Sequence, residues 1–170
     1  MKKHLIEEIK IPEGVEVTIE GSKFKVKGPE GENERELKMH NIAAKIEGNK
    51  LIIEAKKATK KEKKMMFTNI AHLKNLLNGV KEKFKYTLKV ASSHFPMTAE
   101  VSGDKVIIKN FLGEKIQREA KIPKGAEVEV NKDIITIKSV DKEIAGQASA
   151  NLENATKIRF RDRRIFQDGV

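Results

Sequence analysis

Apolar and polar residues alternate in a similar way in two stretches of the chain that lie far apart. Residues 15–31 have the sequence VEVTIEGSKFKVKGPEG, and residues 97–113 have the sequence MTAEVSGDKVIIKNFLG. Placing Gly21 on Gly103 superposes the alternating apolar positions of the two stretches. Alternation with a period of two, interrupted by a glycine, is typical of a β-hairpin. The chain therefore contains an internal repeat that is built on hairpins.

A second pair of similar stretches follows at comparable positions in the two halves. Residues 44–54 have the sequence AKIEGNKLIIE, and residues 128–138 have the sequence VEVNKDIITIK. Both alternate around a polar turn, which predicts another hairpin in each half. Apolar residues then recur at helical spacing, which predicts one amphipathic helix after each second hairpin. The apolar stripes comprise Met66, Ile70, Leu73, Leu77 and Val80 in the first half, and Ile144, Ala148, Leu152 and Ala155 in the second.

Residues that favour helix ends flank both predicted helices. Thr59 and Glu62 have the spacing of a capping box, in which two side chains satisfy backbone N–H groups at the helix start. Gly79 lies where a C′ glycine would end the first helix. Asp141 is a suitable N-cap for the second helix. The two helices are therefore predicted to begin after Thr59 and after Asp141.

The repeat predicts an α+β fold with two small domains, each an antiparallel sheet with one packed helix, and a basic C-terminal extension. Because the strands alternate, each sheet should have one face against its helix and the other in solvent. We expect the first domain at residues 1–82, the second at residues 83–156 and the basic extension at residues 157–170.

The charge of the chain indicates a polyanionic partner. The 170 residues include 35 Lys and Arg against 25 Asp and Glu, which gives a net charge of +10 and a pI of about 9.6. Such a surface attracts nucleic acid, anionic membranes or acidic proteins. The absence of cysteine excludes disulfides and thiolate metal sites. Because no apolar run is long enough to span a bilayer, we expect a soluble intracellular protein without a membrane partner.

The residues that enzymes use are not grouped in this sequence. Its histidines, His4, His40, His72 and His94, are scattered and show neither metal-ligand spacing nor a neighbouring nucleophile motif. The sequence GPEGE at residues 28–32 lacks the Lys-Ser/Thr pair and the helix of a phosphate-binding loop. We therefore expect no enzyme activity, no cofactor, no metal and no small-molecule substrate.

The first of two basic clusters is residues 56–64, KKATKKEKK, which lead into the first predicted helix. Lysines near a helix N-terminus oppose the helix dipole and gain nothing for the helix itself. A nearby polyanion would explain them, and so would a solvated helix start that keeps the protein soluble. The sequence leaves open whether this segment contacts RNA.

The second basic cluster is the sequence RFRDRRIFQDGV at residues 159–170. Four of the six arginines in the chain lie there, namely Arg159, Arg161, Arg163 and Arg164. A guanidinium binds phosphate through two parallel hydrogen bonds and stacks on bases, whereas an ammonium acts as a point charge. The cluster therefore predicts an extension laid along RNA rather than a tail that only improves solubility. Its apolar residues are expected to anchor it on a surface: Phe160, Ile165 and Phe166.

Aromatic residues are scarce in this chain, with one Tyr and seven Phe. No predicted strand carries a pair of them placed to stack bases. We therefore expect recognition of folded RNA through phosphates, 2′-hydroxyls and shape rather than reading of single-stranded bases.

Several segments together resemble one known family, the L-six family of large-subunit ribosomal proteins. Residues 11–31, IPEGVEVTIEGSKFKVKGPEG, are similar to the opening of that family. Residues 93–97 (SHFPM) and 110–115 (NFLGEK) resemble its archaeal and eukaryotic branch. Residues 141–156, DKEIAGQASANLENAT, resemble the signature helix, and residues 161–169, RDRRIFQDG, resemble the terminal motif of the branch. The resemblance covers essentially the whole chain.

This resemblance implies a structural constituent of the large ribosomal subunit, located in the cytoplasm within the ribosome. Family members have two repeated α+β domains and bind large-subunit rRNA chiefly through the C-terminal domain, near the factor-binding region at the stalk base. Neighbouring ribosomal proteins are the other expected partners. Carried onto this sequence, the RNA contacts are Lys138, Lys142, Gln147, Asn151, Lys157, Arg159, Arg161, Arg163 and Arg164. Gln147 and Asn151 also lie one helical turn apart, off the apolar stripe, where a polar row could face RNA or solvent.

Two other classes of protein are compatible with a basic surface. One is a free-standing RNA chaperone or regulator, which co-sedimentation with large subunits would distinguish from a ribosomal constituent. The other is a module that binds anionic membranes or proteins. That module would need a basic amphipathic helix with bulky aromatic residues, and the first predicted helix has only Phe67 beside its apolar stripe.

Overall fold

The computed structural model describes residues 3–162 and 164–170 of the chain. The chain separates into two compact units, Met1–Lys83 (unit 1) and Phe84–Val170 (unit 2). The 157–170 extension, which was expected to follow the second domain, is therefore part of unit 2.

Unit 1 contains, over its described residues, two three-stranded antiparallel sheets and one helix. Its elements are β1 (Lys3–Lys10), β2 (Glu16–Glu20), β3 (Lys23–Gly28), β4 (Gly31–Glu36), β5 (Ala43–Glu47), β6 (Lys50–Ala58) and α1 (Lys60–Lys81). The strand orders are β1-β6-β5 in one sheet and β2-β3-β4 in the other. The predicted hairpins are β2–β3 and β5–β6, which pair antiparallel.

Unit 2 repeats this arrangement over its own described residues. Its elements are β7 (Phe84–Lys89), β8 (Thr98–Ser102), β9 (Lys105–Lys109), a short 3-10 helix (Phe111–Gly113), β10 (Arg118–Lys121), β11 (Glu127–Asn131), β12 (Ile134–Ser139) and α2 (Lys142–Ala155). The strand orders are β11-β12-β7 and β10-β9-β8. These correspond strand for strand to the sheets of unit 1, which shows that the repeat extends to the topology.

The pairing register confirms the alignment that the sequence suggested. Ile19 lies opposite Phe24 in unit 1, and Val101 lies opposite Val106 in unit 2. The glycines of the two turns have φ angles of +64° and +57°, a left-handed conformation that favours residues without a Cβ atom. The predicted α+β class with two repeated units is therefore confirmed. Each unit also contains a second sheet, which the expectation of one sheet per half did not include.

The helices begin where their caps predict. Thr59 caps α1 and forms a capping box with Glu62, whose side chain accepts a hydrogen bond from the Thr59 N–H at 3.0 Å. Asp141 caps α2 and accepts a hydrogen bond from the Glu143 N–H at 2.8 Å. The prediction that Gly79 ends α1 was wrong, because α1 continues to Lys81 and Gly79 is buried within the helix.

Both apolar stripes lie in the cores of their units. Every stripe residue predicted on α1 is buried, and α2 buries Ala145, Ala148 and Leu152. Predicted residues Ile144 and Ala155 are half-buried. Fully burying a large aliphatic side chain stabilises a fold by about 1.5–3 kcal/mol, so these stripes account for the attachment of each helix to its sheets.

Candidate nucleic-acid interface

The C-terminal segment folds back onto unit 2. Ala91 and Gly169 exchange two backbone hydrogen bonds, each 2.8 Å long. The Val170 N–H donates to the Thr156 hydroxyl oxygen at 3.1 Å. Phe166 and Val170 pack against the buried residues of unit 2. The segment is docked because its backbone and two of its apolar residues have partners on unit 2.

Asp168 is the polar centre of this docking. Its residue exposure is 5%, and its carboxylate accepts hydrogen bonds from the backbone N–H groups of Ser93 at 2.9 Å and His94 at 3.2 Å. The Ser93 hydroxyl and His94 Nδ1 also contact the carboxylate. Burial alone would raise the pKa of Asp168, but the hydrogen bonds from Ser93 and His94 outweigh it and hold this pKa far below its ordinary value.

The docking joins two segments that resembled the family by sequence. Residues 93–97 supply the donors, and residues 161–169 supply Asp168. The rings of His94 and Phe166 also stack, with their centroids 5.1 Å apart. We use the name latch for three sets of contacts. They are the contacts of Asp168 with Ser93 and His94, the His94–Phe166 stack and the Ala91–Gly169 bridge. The latch therefore gives these two motifs a structural role.

Arg118 has a role that the sequence did not reveal. Its Nη1 donates to the Ala155 carbonyl oxygen at 2.9 Å, at the C-terminal end of α2. The guanidinium also forms two hydrogen bonds with the Glu114 carboxylate, at 2.8 and 2.7 Å, and lies 4.2 Å from the centroid of Phe111. The hydrogen bonds from Arg118 lower the pKa of Glu114. A cation is favourable at a helix C-terminus, so Arg118 stabilises the position from which residues 157–170 depart.

The arginines of the extension face solvent in different ways. Arg159 is exposed. Arg161 places its guanidinium 4.9 Å from the ring centroid of Phe166, which ties it to the latch. The Arg164 side chain is 90% exposed and pairs with Asp162 at 2.8 Å. Arg163 lies outside the described residues.

The lysines predicted as contacts lie in β12 and at the two ends of α2. Lys138 lies in β12 and pairs with Glu129 at 3.2 Å. Lys142 is the first residue of α2 and places its ammonium 5.8 Å from the centroid of Phe84. Lys157 follows the C-cap residue and is exposed. Because a helix of 14 residues is about 20 Å long, the predicted contacts extend along α2 rather than meeting at one point.

Gln147 and Asn151 have partners within unit 2. The Gln147 side-chain amide donates to the Asn151 side-chain oxygen at 2.8 Å. The Asn151 amide donates to the Lys121 carbonyl oxygen at 2.9 Å, which ties α2 to the end of β10. Asn151 therefore helps to position α2, and Gln147 is the more exposed member of the pair.

The three apolar residues of the extension do not act alike. Phe166 anchors the segment as expected. Ile165 is mostly exposed, and Phe160 is fully exposed, with a relative exposure of 105%. Phe160 and Ile165 therefore do not anchor the segment on unit 2, and whether they anchor it on another surface stays a prediction.

The basic segment of residues 56–64 spans the end of β6 and the first turn of α1. Its residues Lys61 and Lys64 line a groove together with Lys38. Phe67 is 44% exposed one turn later, and the Lys63 ammonium lies 5.8 Å from its ring centroid. Unit 1 therefore displays positive charge too, but chiefly as lysine.

The described residues form neither a candidate metal site nor a candidate membrane span. Among them, no group of three or more His, Asp or Glu side chains is placed to hold a metal ion. Helices of sufficient length and apolarity to cross a membrane are also absent from the described parts of the chain. The molecule is thus defined by two copies of one α+β module, the second of which displays a docked, arginine-rich segment.

Comparison with known proteins identifies the family. The family model described as Ribosomal protein L6 matches residues 11–83 and again residues 95–169. The chain is 46% identical over 164 residues to the large ribosomal subunit protein uL6 of Methanobrevibacter smithii, covering 96% of this chain and 92% of that protein. It is 44% identical over 168 residues to the protein of that name from Sulfurisphaera tokodaii, covering 98% and 90%.

The chain therefore belongs to the ribosomal protein L6 family. This confirms the resemblance to the L-six family, and the relatives come from archaea, as the branch motifs indicated. It also confirms the expectation of a ribosomal protein rather than an enzyme, because the relatives are named as ribosomal proteins.

Proposed function

We propose that the protein is a structural constituent of the large ribosomal subunit and acts in the cytoplasm within the ribosome. In this proposal it binds large-subunit rRNA mainly through unit 2 and its arginine-rich segment, near the factor-binding region at the stalk base and beside neighbouring ribosomal proteins. The names of its relatives, which are large ribosomal subunit proteins, support the assembly. A net charge of +10 supports the polyanionic partner.

One observation carries the assignment to unit 2, namely that the latch fixes an arginine-rich segment whose side chains reach solvent. Asp168 and Phe166 hold the segment, while Arg159 and Arg164 remain exposed. Binding by a flexible tail would lose conformational entropy when the tail became ordered. A segment that is ordered beforehand avoids much of this cost and binds more tightly with the same contacts.

The pairing of Arg164 leaves it available to RNA. The hydrogen bond from Arg164 lowers the pKa of Asp162, but an ion pair this exposed contributes little to stability. A phosphate can therefore replace Asp162 at small cost and accept two parallel hydrogen bonds from the guanidinium. Lys138, Lys142, Gln147 and Lys157 would add contacts along α2, and Asn151 would contribute mainly by holding α2 in place.

The salt dependence of rRNA binding tests this function. Each phosphate contact that is lost should lower the slope of log affinity against log salt concentration by about one unit. We expect replacement of all four arginines of the extension by glutamine to flatten the slope by up to about four units and to weaken incorporation into large subunits. The matched control replaces four exposed lysines of unit 1 by glutamine, namely Lys10, Lys27, Lys45 and Lys74.

The two variants separate the proposed interface from general electrostatics. The control variant carries the same loss of charge, so we expect it to change the slope by less than about one unit. Arginine-to-lysine replacement at the four positions should retain the slope but lose part of the affinity, because lysine cannot form the two-pronged contact. An unchanged slope in the glutamine variant would exclude the extension and leave residues 56–64 as the remaining candidate for the footprint.

A free-standing RNA chaperone or regulator would use the same basic surface. Co-sedimentation distinguishes it, because a structural constituent remains with large subunits through a salt wash in about stoichiometric amount. A protein that washes off fully at moderate salt while retaining RNA affinity would favour the chaperone.

A further inference from the structure

Phe160 combines two features that a folded chain normally avoids. Its side chain is fully exposed, with a relative exposure of 105%. Its φ angle is +59°, in the left-handed region, which is unusual for a bulky residue without a local hydrogen bond from its side chain. A large aromatic residue stabilises a fold chiefly by burial. Phe160 therefore contributes neither burial nor a relaxed backbone to unit 2.

The exposure of Phe160 does not come from a loose tail. On its N-terminal side, Arg118 donates to the carbonyl oxygens of Ala155 and Lys157, at 2.9 and 3.4 Å. On its C-terminal side, the Asp162 carbonyl oxygen accepts from the Phe166 N–H at 2.9 Å, and Phe166 is part of the latch. Fixed structure on both sides therefore presents the Phe160 ring to solvent. Strain and exposure that persist in an ordered segment are typical of a functional contact.

The immediate surroundings of Phe160 are cationic. Arg159 and Arg161 flank it in sequence, and Lys157 lies in the same short segment, whereas Arg164 is paired with Asp162. An apolar pocket on a protein would have to desolvate these charges together with the ring, which is costly without paired anions. A nucleobase offers a flat apolar face next to a phosphate, so it suits an aromatic ring between two arginines.

We propose that Phe160 stacks on an unpaired base of the bound RNA, while the flanking arginines contact the adjoining phosphates. This rests on the proposed function and adds a base contact to an interface otherwise expected to recognise phosphates and shape. The ring contributes stacking, which does not release counterions. Its effect is therefore separable from that of the arginines by salt dependence.

The absence of tryptophan from the chain allows a direct test. Phe160→Trp in the full-length protein introduces a single indole, whose fluorescence is quenched when a base stacks on it. Phe67→Trp is the matched control, since Phe67 is an exposed aromatic residue in unit 1 with a lysine beside its ring. We expect a large-subunit rRNA transcript to quench the indole at position 160 strongly and the indole at position 67 much less.

Affinity measurements with three further variants complete the test. Phe160→Ala and Phe160→Leu should each weaken binding about 5- to 100-fold with an unchanged salt slope, because one stacked base is lost. Phe160→Tyr should restore near wild-type affinity. The thermal midpoint of unfolding should be unchanged in all three, because the ring is outside the core.

Three results would overturn the proposal. The first is an indole at position 160 whose fluorescence rRNA does not quench, and the second is wild-type rRNA affinity in Phe160→Ala. The third is a Phe160→Leu variant that binds naked rRNA with normal affinity but is incorporated less into subunits. That result would indicate that the ring occupies a pocket on a neighbouring protein. After any of these three results, the proposed function still holds if the arginine-to-glutamine variant binds rRNA more weakly and with a flatter salt slope. A wild-type protein without affinity for rRNA would instead contradict both the proposed function and the stacking of Phe160.

Discussion

The two units are copies of one module, yet they carry their positive charge in different forms. Unit 1 contains 18 lysines and one arginine, whereas unit 2 contains 11 lysines and five arginines. Charge alone would therefore assign the RNA interface to unit 1. Unit 2 differs by having a segment in which arginines are displayed on an ordered, docked backbone. We therefore assign the proposed interface to unit 2 by the chemical form of its cations and by their preorganisation, which net charge does not describe.

The helices of the two units show the same contrast. α1 has 22 residues and ends in Lys81, with its C-cap residue Glu82 in an extended conformation. α2 has 14 residues, and Arg118 binds the carbonyl group of its last residue. The extension begins directly after α2, where Arg118 holds the last helical carbonyl group. The two units therefore differ in helix length and in the docked segment that only unit 2 has.

Removal of the extension should have the largest effect on this comparison. We propose that each unit is an independent domain, so residues 84–170 expressed alone should unfold in one cooperative thermal transition. Residues 84–156 should lack such a transition or melt far lower, because Phe166, Val170 and Asp168 then leave their partners on unit 2 uncovered. Amide dispersion in NMR spectra and thermal melts followed by circular dichroism measure the folding of the two fragments. Equal stability of the two fragments would show that the extension is an accessory and not part of the fold.

A core substitution in unit 1 should have the next largest effect. Leu73 is 1% exposed on α1, so Leu73→Ala should destabilise unit 1 by about 2–5 kcal/mol through lost burial and a cavity. Lys63→Ala, on the exposed side of the helix, should change stability by at most about 0.5 kcal/mol. Urea denaturation of the full chain measures both. Hydrogen exchange should show that unit 2 is unaffected by Leu73→Ala, and equal loss of protection in both units would contradict their independence.

The smallest of these effects is expected at the latch. Asp168→Asn removes a charge that accepts several hydrogen bonds, and should destabilise unit 2 by about 1–3 kcal/mol at pH 7. Because folding lowers the pKa of Asp168, its contribution is fully present above the unfolded pKa of about 4 and is lost as the pH falls below it.

The pH dependence of stability checks the latch against a purely steric effect. The difference in unfolding free energy between wild type and Asp168→Asn should be constant from about pH 5 to 7 and should shrink towards pH 3. Unit 1 has no counterpart of this latch in the contacts described, so its hydrogen-exchange protection should be the same in both proteins throughout. A difference that does not vary with pH would mean that the carboxylate charge is unimportant.

Local patterns in the sequence predicted those features that depend on neighbours along the chain. The hairpin turns at Gly21 and Gly103, the caps at Thr59 and Asp141 and the apolar stripes each depend on spacings of a few residues, and the structure has them all. The predicted hairpins lie in separate sheets, and the third strands β4 and β10 were missed because they are mostly polar. β4 and β10 are extended because they pair with β3 and β9, and their own sequences have no apolar alternation that would predict a strand.

The candidate site was predictable in composition but not in arrangement. The arginine cluster is visible in the sequence, and Arg159, Arg161 and Arg164 are exposed. The contacts that present it are distant in sequence, because Asp168 binds Ser93 and Arg118 binds Ala155. The left-handed backbone of Phe160 also has no signature in residue type. Contacts of this kind follow from the folded surface, so no local pattern could have shown them.

The separation of 75 residues between Ser93 and Asp168 has a consequence for the order of folding. Closing a long loop costs entropy before its contacts can compensate, so we expect the latch to form late, after the hairpins and α2 of unit 2 have assembled. The arginine-rich segment is then docked last, and incompletely folded chains lack the docked segment. Commitment to RNA would therefore follow completion of the fold, so that the kinetics of folding themselves delay binding by immature protein.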